Sequence, residues 1–179
     1  MSRRPQTDLA VLGALSVEPM TGYALRAAIT STLGHFWSES FGQIYPALAR
    51  LEEAGLVGRD EERRFTLTDP GRVRLRELLA EPIERSPARN GLLLRLFFGR
   101  TLGREQCIEL LQDAVREAGE SLATLAAIRA EVEAENSPDR DYFLLTIAAG
   151  EAGARAQAQW ASSSIASLRQ SPDQPHPRD

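Results

Sequence analysis

The chain of 179 residues contains no lysine, a single cysteine and few aromatic residues. All 21 of its basic residues are arginine, so every cationic contact uses a planar guanidinium that can hold a phosphate or a guanine in bidentate fashion. The lone Cys107 excludes an intrachain disulfide and fits a reducing compartment. Aromatic residues make up only 6% of the chain, and the abundance of alanine favours helix over sheet.

The sequence also lacks the patterns of membrane proteins, metal sites and enzymes. The N-terminal apolar run LAVLGALSV is far shorter than the ~20 residues that a membrane span requires, and Asp8 and Glu18 flank it, unlike a signal peptide. The two histidines have no metal-ligand spacing, and no catalytic or phosphate-loop arrangement is visible. We therefore predict a cytoplasmic protein with no membrane partner, no cofactor, no metal and no catalytic residues.

Residues 1–81 carry the pattern of a small DNA-binding domain. Apolar spacing predicts helices over 8–17, from Thr21 to 29, and in the stretch FGQIYPALARLEEAGLV, which Gly55 ends. The runs LVGRD and RRFTLT predict a hairpin joined by Glu61 and Glu62. A fourth helix follows, with Thr68 or Asp69 as its cap and Pro70 at its start. Three helices, a hairpin and a further helix make a winged helix–turn–helix, whose third helix enters the major groove of DNA.

The third helix divides into an inner and an outer face. Ile44, Leu48 and Leu51 are spaced to dock on the first two helices, while Gln43, Tyr45 and Arg50 face outward. Gln and Arg are the side chains that read adenine and guanine edges. Pro46 is expected within about the first turn, where its missing N–H costs least.

Residues 92–170 form a second predicted region, after a proline-containing linker at 82–91. A short apolar helix, LLLRLFFG, precedes a long helix from 104 to about 135, whose apolar positions recur as a heptad seam that skips Arg129. A last helix, rich in small residues, runs to about 168, and the tail 171–179 is predicted to be disordered. The seam either closes a helix pair within one chain or joins two chains. Its length of about four heptads and the small residues of the last helix favour the second use, so we predict a dimer interface with these residues: Ile108, Leu111, Val115, Leu122, Leu125 and Trp160.

Several strings resemble the PadR family of bacterial winged-helix transcription regulators. These are GYALRAAI, FGQIYPALARLEEAGLV and FTLTDPGRVRLREL, and the second region resembles the C-terminal dimerisation domain of the virulence-activator type of this family. The resemblance spans roughly residues 8 to 170. It implies a homodimer that binds double-stranded DNA at an inverted-repeat operator, usually as a repressor. It also implies that some members release DNA on binding a small aromatic compound.

The resemblance assigns roles to residues in the N-terminal region. Ser40, Gln43, Tyr45 and Arg50 correspond to contacts of the recognition helix. Tyr23 corresponds to a phosphate contact, and Arg63 and Arg64 to wing contacts. Two departures stand against it, because the wing carries Asp60, Glu61 and Glu62, which repel phosphate, and because Phe65 replaces the usual tyrosine.

Each of these assignments has an alternative in which the residue has no specific function. Gln43 and Arg50 are also compatible with a solvated surface, Tyr45 with packing against the wing, and one of the two wing arginines with a side chain that points away from DNA. Trp160 fits either dimer packing or an aromatic ligand site, and Cys107 either a buried apolar position or a redox sensor. At the level of function, a winged-helix protein-interaction module and a ligand sensor with weak DNA binding are the rivals to the regulator.

Overall fold

The structure is a computed structural model that describes residues 4–30, 41–83 and 90–170. The chain divides into two compact units, Met1–Arg85 and Ser86–Asp179. The predicted fold class, mainly helical with one small hairpin, is confirmed. The described elements are, in chain order, α1 (Arg4–Val17), α2 (Gly22–Ala28), α3 (Phe41–Glu53), β1 (Val57–Arg59), β2 (Phe65–Leu67), α4 (Asp69–Ala80), α5 (Gly91–Phe97), α6 (Gly99–Leu102), α7 (Arg104–Ala134) and α8 (Arg140–Gln170).

The N-terminal unit closes around one apolar core. Side chains from α1, α2, α3, both strands and α4 meet there, among them Val11, Leu12, Leu25, Ile44, Leu48, Leu51, Val57, Phe65, Leu67 and Leu75. The predicted inner face of α3 is confirmed, since each of its three large apolar side chains is at most 3% exposed. Helix α1 begins at Arg4, four residues before the predicted start at 8, so Thr7 and Asp8 both lie inside the helix. Thr7 is buried there, and Asp8 forms an ion pair with Arg50.

Helix α3 tolerates an internal proline and ends on a glycine. Pro46 is the sixth helical residue, further in than expected, and its missing N–H leaves the carbonyl of Gly42 without its usual intrahelical donor. At the other end, Gly55 adopts a positive φ of 70°. Its N–H donates to the Glu52 carbonyl at 3.0 Å, and that of Leu56 donates to the Leu51 carbonyl at 3.0 Å. This Schellman ending turns the chain directly into β1.

The hairpin has a third partner that sequence periodicity does not reveal. β1 and β2 pair antiparallel, with Val57 opposite Leu67 and Arg59 opposite Phe65. The Met20 N–H donates to the Phe65 carbonyl at 3.0 Å, and the Phe65 N–H donates to the Met20 carbonyl at 2.7 Å. The turn between α1 and α2 therefore adds an isolated bridge to the wing. A single bridging residue carries no alternating pattern that a sequence could display.

Thr68 joins the wing to α4. Its hydroxyl oxygen accepts from the Gly71 N–H at 3.1 Å, and the hydroxyl donates to the carbonyl of Gly55 at 2.8 Å. Thr68 is thus the N-cap, one of the two predicted caps, and Pro70 is the second helical residue. The same side chain ties the start of α4 to the end of α3.

The C-terminal unit is built on the antiparallel pair α7 and α8. Ile108, Leu111 and Ala114 pack with Ala161 and Ile165 in one buried cluster. Further along, a Cβ on Gly150 would lie 3.1 Å from the Leu125 side chain, so that leucine packs directly on the α8 backbone. The heptad seam that we assigned to an interface between chains is therefore corrected for Ile108, Leu111 and Leu125. They are at most 5% exposed within a single chain, because α8 folds back and covers them.

Where the heptad seam skips Arg129, a polar layer lies between α7 and α8. Glu151 is 9% exposed. Its carboxylate accepts from Arg129 Nε at 2.9 Å and from Arg155 Nη2 at 2.9 Å. Hydrogen bonds from Arg129 and then from Arg155 hold the pKa of Glu151 below its ordinary value. An ionised carboxylate between two guanidinium groups fixes the register of the pair, because a slip would leave a buried charge without its partners.

Some predictions fall on residues that are not described. Ser40, most of the predicted linker and the tail 171–179 lie outside the described ranges. Among the helices in those ranges, none is long and apolar enough to cross a membrane.

Candidate nucleic-acid interface

The outer face of α3 is exposed. Pro46 and Ala49 lie opposite the core and are exposed, so two small apolar side chains occupy the centre of this face. Gln43 is exposed on one flank, and Tyr45, 46% exposed, lies on the other. A helix with a small outer surface and polar flanks suits the major groove, which is about 12 Å wide.

Arg50 differs from the other predicted recognition residues, because it is engaged within the protein. Its Nη2 forms an ion pair with the carboxylate of Asp8 on α1, and its Nη1 lies 3.5 Å from the Pro46 carbonyl oxygen. The side chain is 42% exposed. Arg50 therefore links α3 to α1, and a base contact would have to share or replace the Asp8 pair.

Two tyrosines flank the start of α2. A Cβ on Gly22 would lie 3.1 Å from Tyr45 Cε1 and 3.6 Å from Phe65 Cε2, so Tyr45 rests on α2 at a position that only glycine fills without a shift. Tyr23, the next residue, is 78% exposed. The structure thus brings the predicted phosphate contact and a predicted recognition residue to the same edge of the unit.

The wing turn is organised by Asp60. Its carboxylate accepts from the N–H of Glu62 at 3.1 Å and from that of Arg64 at 2.8 Å, and Arg64 Nε donates to it at 2.8 Å. Although partial desolvation opposes the shift, hydrogen bonds from Arg64 and Glu62 lower the pKa of Asp60. Asp60, which sequence reasoning counted as a repulsive wing charge, is instead the residue that closes the turn.

The two predicted wing arginines are in different situations. Arg64 is paired with Asp60 and also with Glu62, at 2.6 Å between Nη2 and Oε2. Arg63 is exposed and takes a positive φ of 60°, and among the described residues it has no ion-pair partner. Within that part of the chain, one wing cation is therefore unpaired and the other is already neutralised.

Arg59 is a residue of the candidate interface that sequence reasoning missed. Its Nε donates to Glu52 at 2.7 Å and its Nη2 donates to the same carboxylate at 3.3 Å, while its guanidinium lies 4.0 Å above the Phe65 ring. The hydrogen bond from Arg59 lowers the pKa of Glu52. Arg59 thus clamps the wing to α3 through a stacked ion pair. The available signal was strand register, since Arg59 and Phe65 are opposite neighbours in a hairpin.

In chemical terms, the site presents hydrogen-bonding side chains on a helix beside a braced hairpin. Within the described part of the chain, no group of His, Cys, Asp or Glu side chains is arranged to hold a metal ion. The arrangement can bind an extended polar surface.

Comparison with known families agrees with both units. Residues 11–77 match the model of the transcriptional regulator PadR-like family, and residues 88–169 match the virulence activator alpha C-terminal model. The chain carries a PadR-like transcriptional-regulator domain followed by a virulence activator alpha C-terminal domain.

A relative and a solved structure each match most of this chain. The negative transcriptional regulator PadR of Bacillus subtilis is 28% identical over 152 residues, which are 76% of this chain and 83% of the relative. The structure of the PadR-like regulator BC1756 from Bacillus cereus superposes with a TM-score of 0.80 at 22% identity, over 91% of this chain and 98% of that one.

The Bacillus subtilis PadR has been solved in two complexes. One, with p-coumaric acid, has a TM-score of 0.75 at 26% identity and covers 91% of this chain and 98% of that one. The other, with operator DNA, has a TM-score of 0.73 at 24% identity and covers 90% and 98%.

The C-terminal unit of this PadR-like chain leaves some predicted interface residues accessible. Val115 and Leu122 are partly exposed, and Trp160 is 39% exposed. A larger apolar surface, which we call the α5 patch, lies on α5 and the residue after it: Leu93, Leu94, Phe97 and Phe98, which are 50–83% exposed. The sequence identified this helix as apolar but did not predict that Leu93, Leu94 and Phe97 remain exposed on it. Cys107 is buried against Gly99, as expected if it is a buried apolar position.

Proposed function

We propose that this chain is a homodimeric repressor that binds an inverted-repeat operator. Helix α3 would enter the major groove and the wing would follow the backbone. The observation that carries the proposal is the exposed outer face of α3 beside a wing fixed to it by Arg59 and Glu52. The relative in Bacillus subtilis supports the sign of regulation, since it is a negative regulator, and its complex with operator DNA supports operator DNA as the partner. Gln43, Tyr45 and Arg50, with Ser40, remain the proposed recognition contacts, and Tyr23, Arg63 and Arg64 the proposed phosphate contacts.

Dimerisation is proposed through the C-terminal unit. The α5 patch exposes Phe97 at 83% and Leu94 at 63%, and monomeric proteins rarely leave large side chains clustered on the surface. Trp160 and Leu122 remain candidates for the rim of the interface. Two protomers would place two recognition helices on successive half-sites, about one helical turn of DNA apart.

A small aromatic effector is the third part of the proposal. An open groove of about 310 Å³ lies on the C-terminal unit, lined by Gln112, Val115, Ser162, Ile165 and Arg169. Its size is at the lower end for small-molecule sites, and Arg169 offers a guanidinium to a carboxylate. The complex of the Bacillus protein with p-coumaric acid, an aromatic acid, supports a ligand of this class. Tryptophan fluorescence, to which Trp37 and Trp160 both contribute, tests this part separately during titration with planar aromatic acids.

The central experiment is fluorescence anisotropy with the DNA upstream of the protein's own gene and with a scrambled control, each at two salt concentrations. We expect preference for the native fragment and a log–log salt slope of roughly −6 for a dimer that neutralises three or four phosphates per protomer. Equal, weak binding to both fragments would refute the operator proposal. It would favour a winged helix that contacts a protein partner, consistent with a wing whose Arg64 is already neutralised.

A further inference from the structure

The two carboxylates that pair with Arg64, those of Asp60 and Glu62, have different structural roles. Asp60 has a 24% exposed side chain and accepts two backbone N–H groups of the turn in addition to Arg64 Nε. Glu62 has a 69% exposed side chain, and its carboxylate contacts Arg64 Nη2 at 2.6 Å. In the described part of the chain it has no second partner. Asp60 is therefore part of the turn, whereas the Glu62 carboxylate can leave without loosening any backbone hydrogen bond.

The Arg64 guanidinium is shared between two carboxylate acceptors. A guanidinium has five donors in a fixed fork, and here Asp60 takes the Nε side while Glu62 takes Nη2. The Asp60 contact orients the fork, and Nη2, which the exposed Glu62 holds, is the donor that can exchange its carboxylate for a phosphate. Exposed ion pairs are weak, so a phosphate can displace Glu62, but the displaced carboxylate then stays beside the DNA and repels it.

We propose that Glu62 competes with DNA phosphate for Arg64 and so limits the contribution of the wing to DNA affinity. Asp60 acts as the positioning residue that keeps Arg64 aimed at the contact. This inference rests on the proposed DNA-binding function. It assigns to an acidic wing residue a sequence-independent role, because it acts on phosphate and not on bases.

The test compares Glu62→Gln with Glu61→Gln in the full-length protein. Glu61 is the matched control, since it is exposed, adjacent and without an ion pair among the described residues. The probes are a labelled random-sequence duplex and the upstream fragment, each titrated from low to moderate salt. We expect Glu62→Gln to tighten binding to both probes by about 2- to 5-fold per wing, the strength of an exposed ion pair. The salt slope should steepen by about 0.9 per wing, because one more phosphate is neutralised.

A double-mutant cycle with Arg64→Gln identifies the route of the effect. If Glu62 acts through Arg64, Glu62→Gln gains no more than Glu61→Gln once Arg64 is absent. Equal gains from Glu61→Gln and Glu62→Gln in the wild-type background would overturn the inference, because they would reflect net charge alone. So would an unchanged salt slope in Glu62→Gln. If instead wild-type protein shows no salt-sensitive binding to either duplex, the proposed function itself fails and the inference falls with it.

Discussion

Replacing Gly71 with alanine tests the joint between the recognition helix and the wing. Gly71 lies in the first turn of α4, against Leu56, the last residue before β1. A Cβ at this position would lie 2.0 Å from the Leu56 carbonyl oxygen and 2.9 Å from Leu67 Cδ1. The second distance is well inside the ~3.5–4 Å at which carbon atoms pack, and the first is too short for any non-bonded contact. Because one obstacle is backbone, no rotation of a side chain relieves it, and α4 or the joint has to move by roughly 1 Å or more.

The expected cost follows from two opposing terms. Overpacking costs up to about 3 kcal/mol, and alanine in place of glycine in a helix recovers about 1 kcal/mol. The net loss of about 2 kcal/mol lowers the melting temperature of a unit of this size by about 8–16 °C. Scanning calorimetry of the full chain measures it. DNA affinity should fall as well, since the wing shifts relative to α3.

Gly13→Ala is the matched control for this substitution. Gly13 is also helical and in the same unit, but a Cβ added there would meet no atom within 4 Å beyond its own stretch of helix backbone. We expect it to be neutral or stabilising by up to about 1 kcal/mol. If the Gly71 and Gly13 variants melt at the same temperature, the close approach of α4 to Leu56 is wrong.

Three further predictions concern the C-terminal unit. Leu111→Ala, at a side chain 1% exposed, should cost about 2–5 kcal/mol in urea unfolding at any protein concentration; a loss that disappears on dilution would instead place Leu111 between chains. Glu151→Gln should reduce the loss of folding stability at acid pH, the acid limb of the curve of stability against pH. The lowered pKa of Glu151, caused first by Arg129, gives stability that is present above its ordinary value near 4.5 and is lost as pH falls through the folded-state value; an unchanged limb in circular dichroism would contradict it. Phe97→Ser in the α5 patch should shift sedimentation toward monomer, and a variant as dimeric as the wild type would exclude this patch from the interface.

Much of the N-terminal unit was predictable because its signals are local. The period of Ile44, Leu48 and Leu51 marks a buried helix face, and Gly55 marks the end of that helix, since a left-handed residue favours glycine. Thr68 was predicted as one of two caps because its hydroxyl serves N–H groups only three residues away. The family strings extended these signals to a fold and a function, which residue spacing alone could not do.

The residues that set the charge of the candidate interface were not predictable in this way. Arg50 pairs with Asp8 across 42 positions, and Arg59 meets Glu52 only after the Schellman turn folds β1 back on α3. Asp60 was judged by its charge, but its geometry makes it a turn residue. Ion pairs depend on where long side chains end, and no periodicity records that position.

The heptad seam of α7 shows what sequence spacing determines and what is left to the tertiary structure. Its spacing determined that one face of α7 is buried, because apolar residues repeating every three or four positions line one side of a helix. Spacing does not identify the partner that covers that face. Only the tertiary structure decided that α8 of the same chain does so for Leu111 and Leu125, and that apolar side chains of α5 such as Leu94 and Phe97 stay uncovered. The physical reason is that burial of apolar area is non-directional, so a sequence specifies which surface must leave water and the fold specifies what it meets.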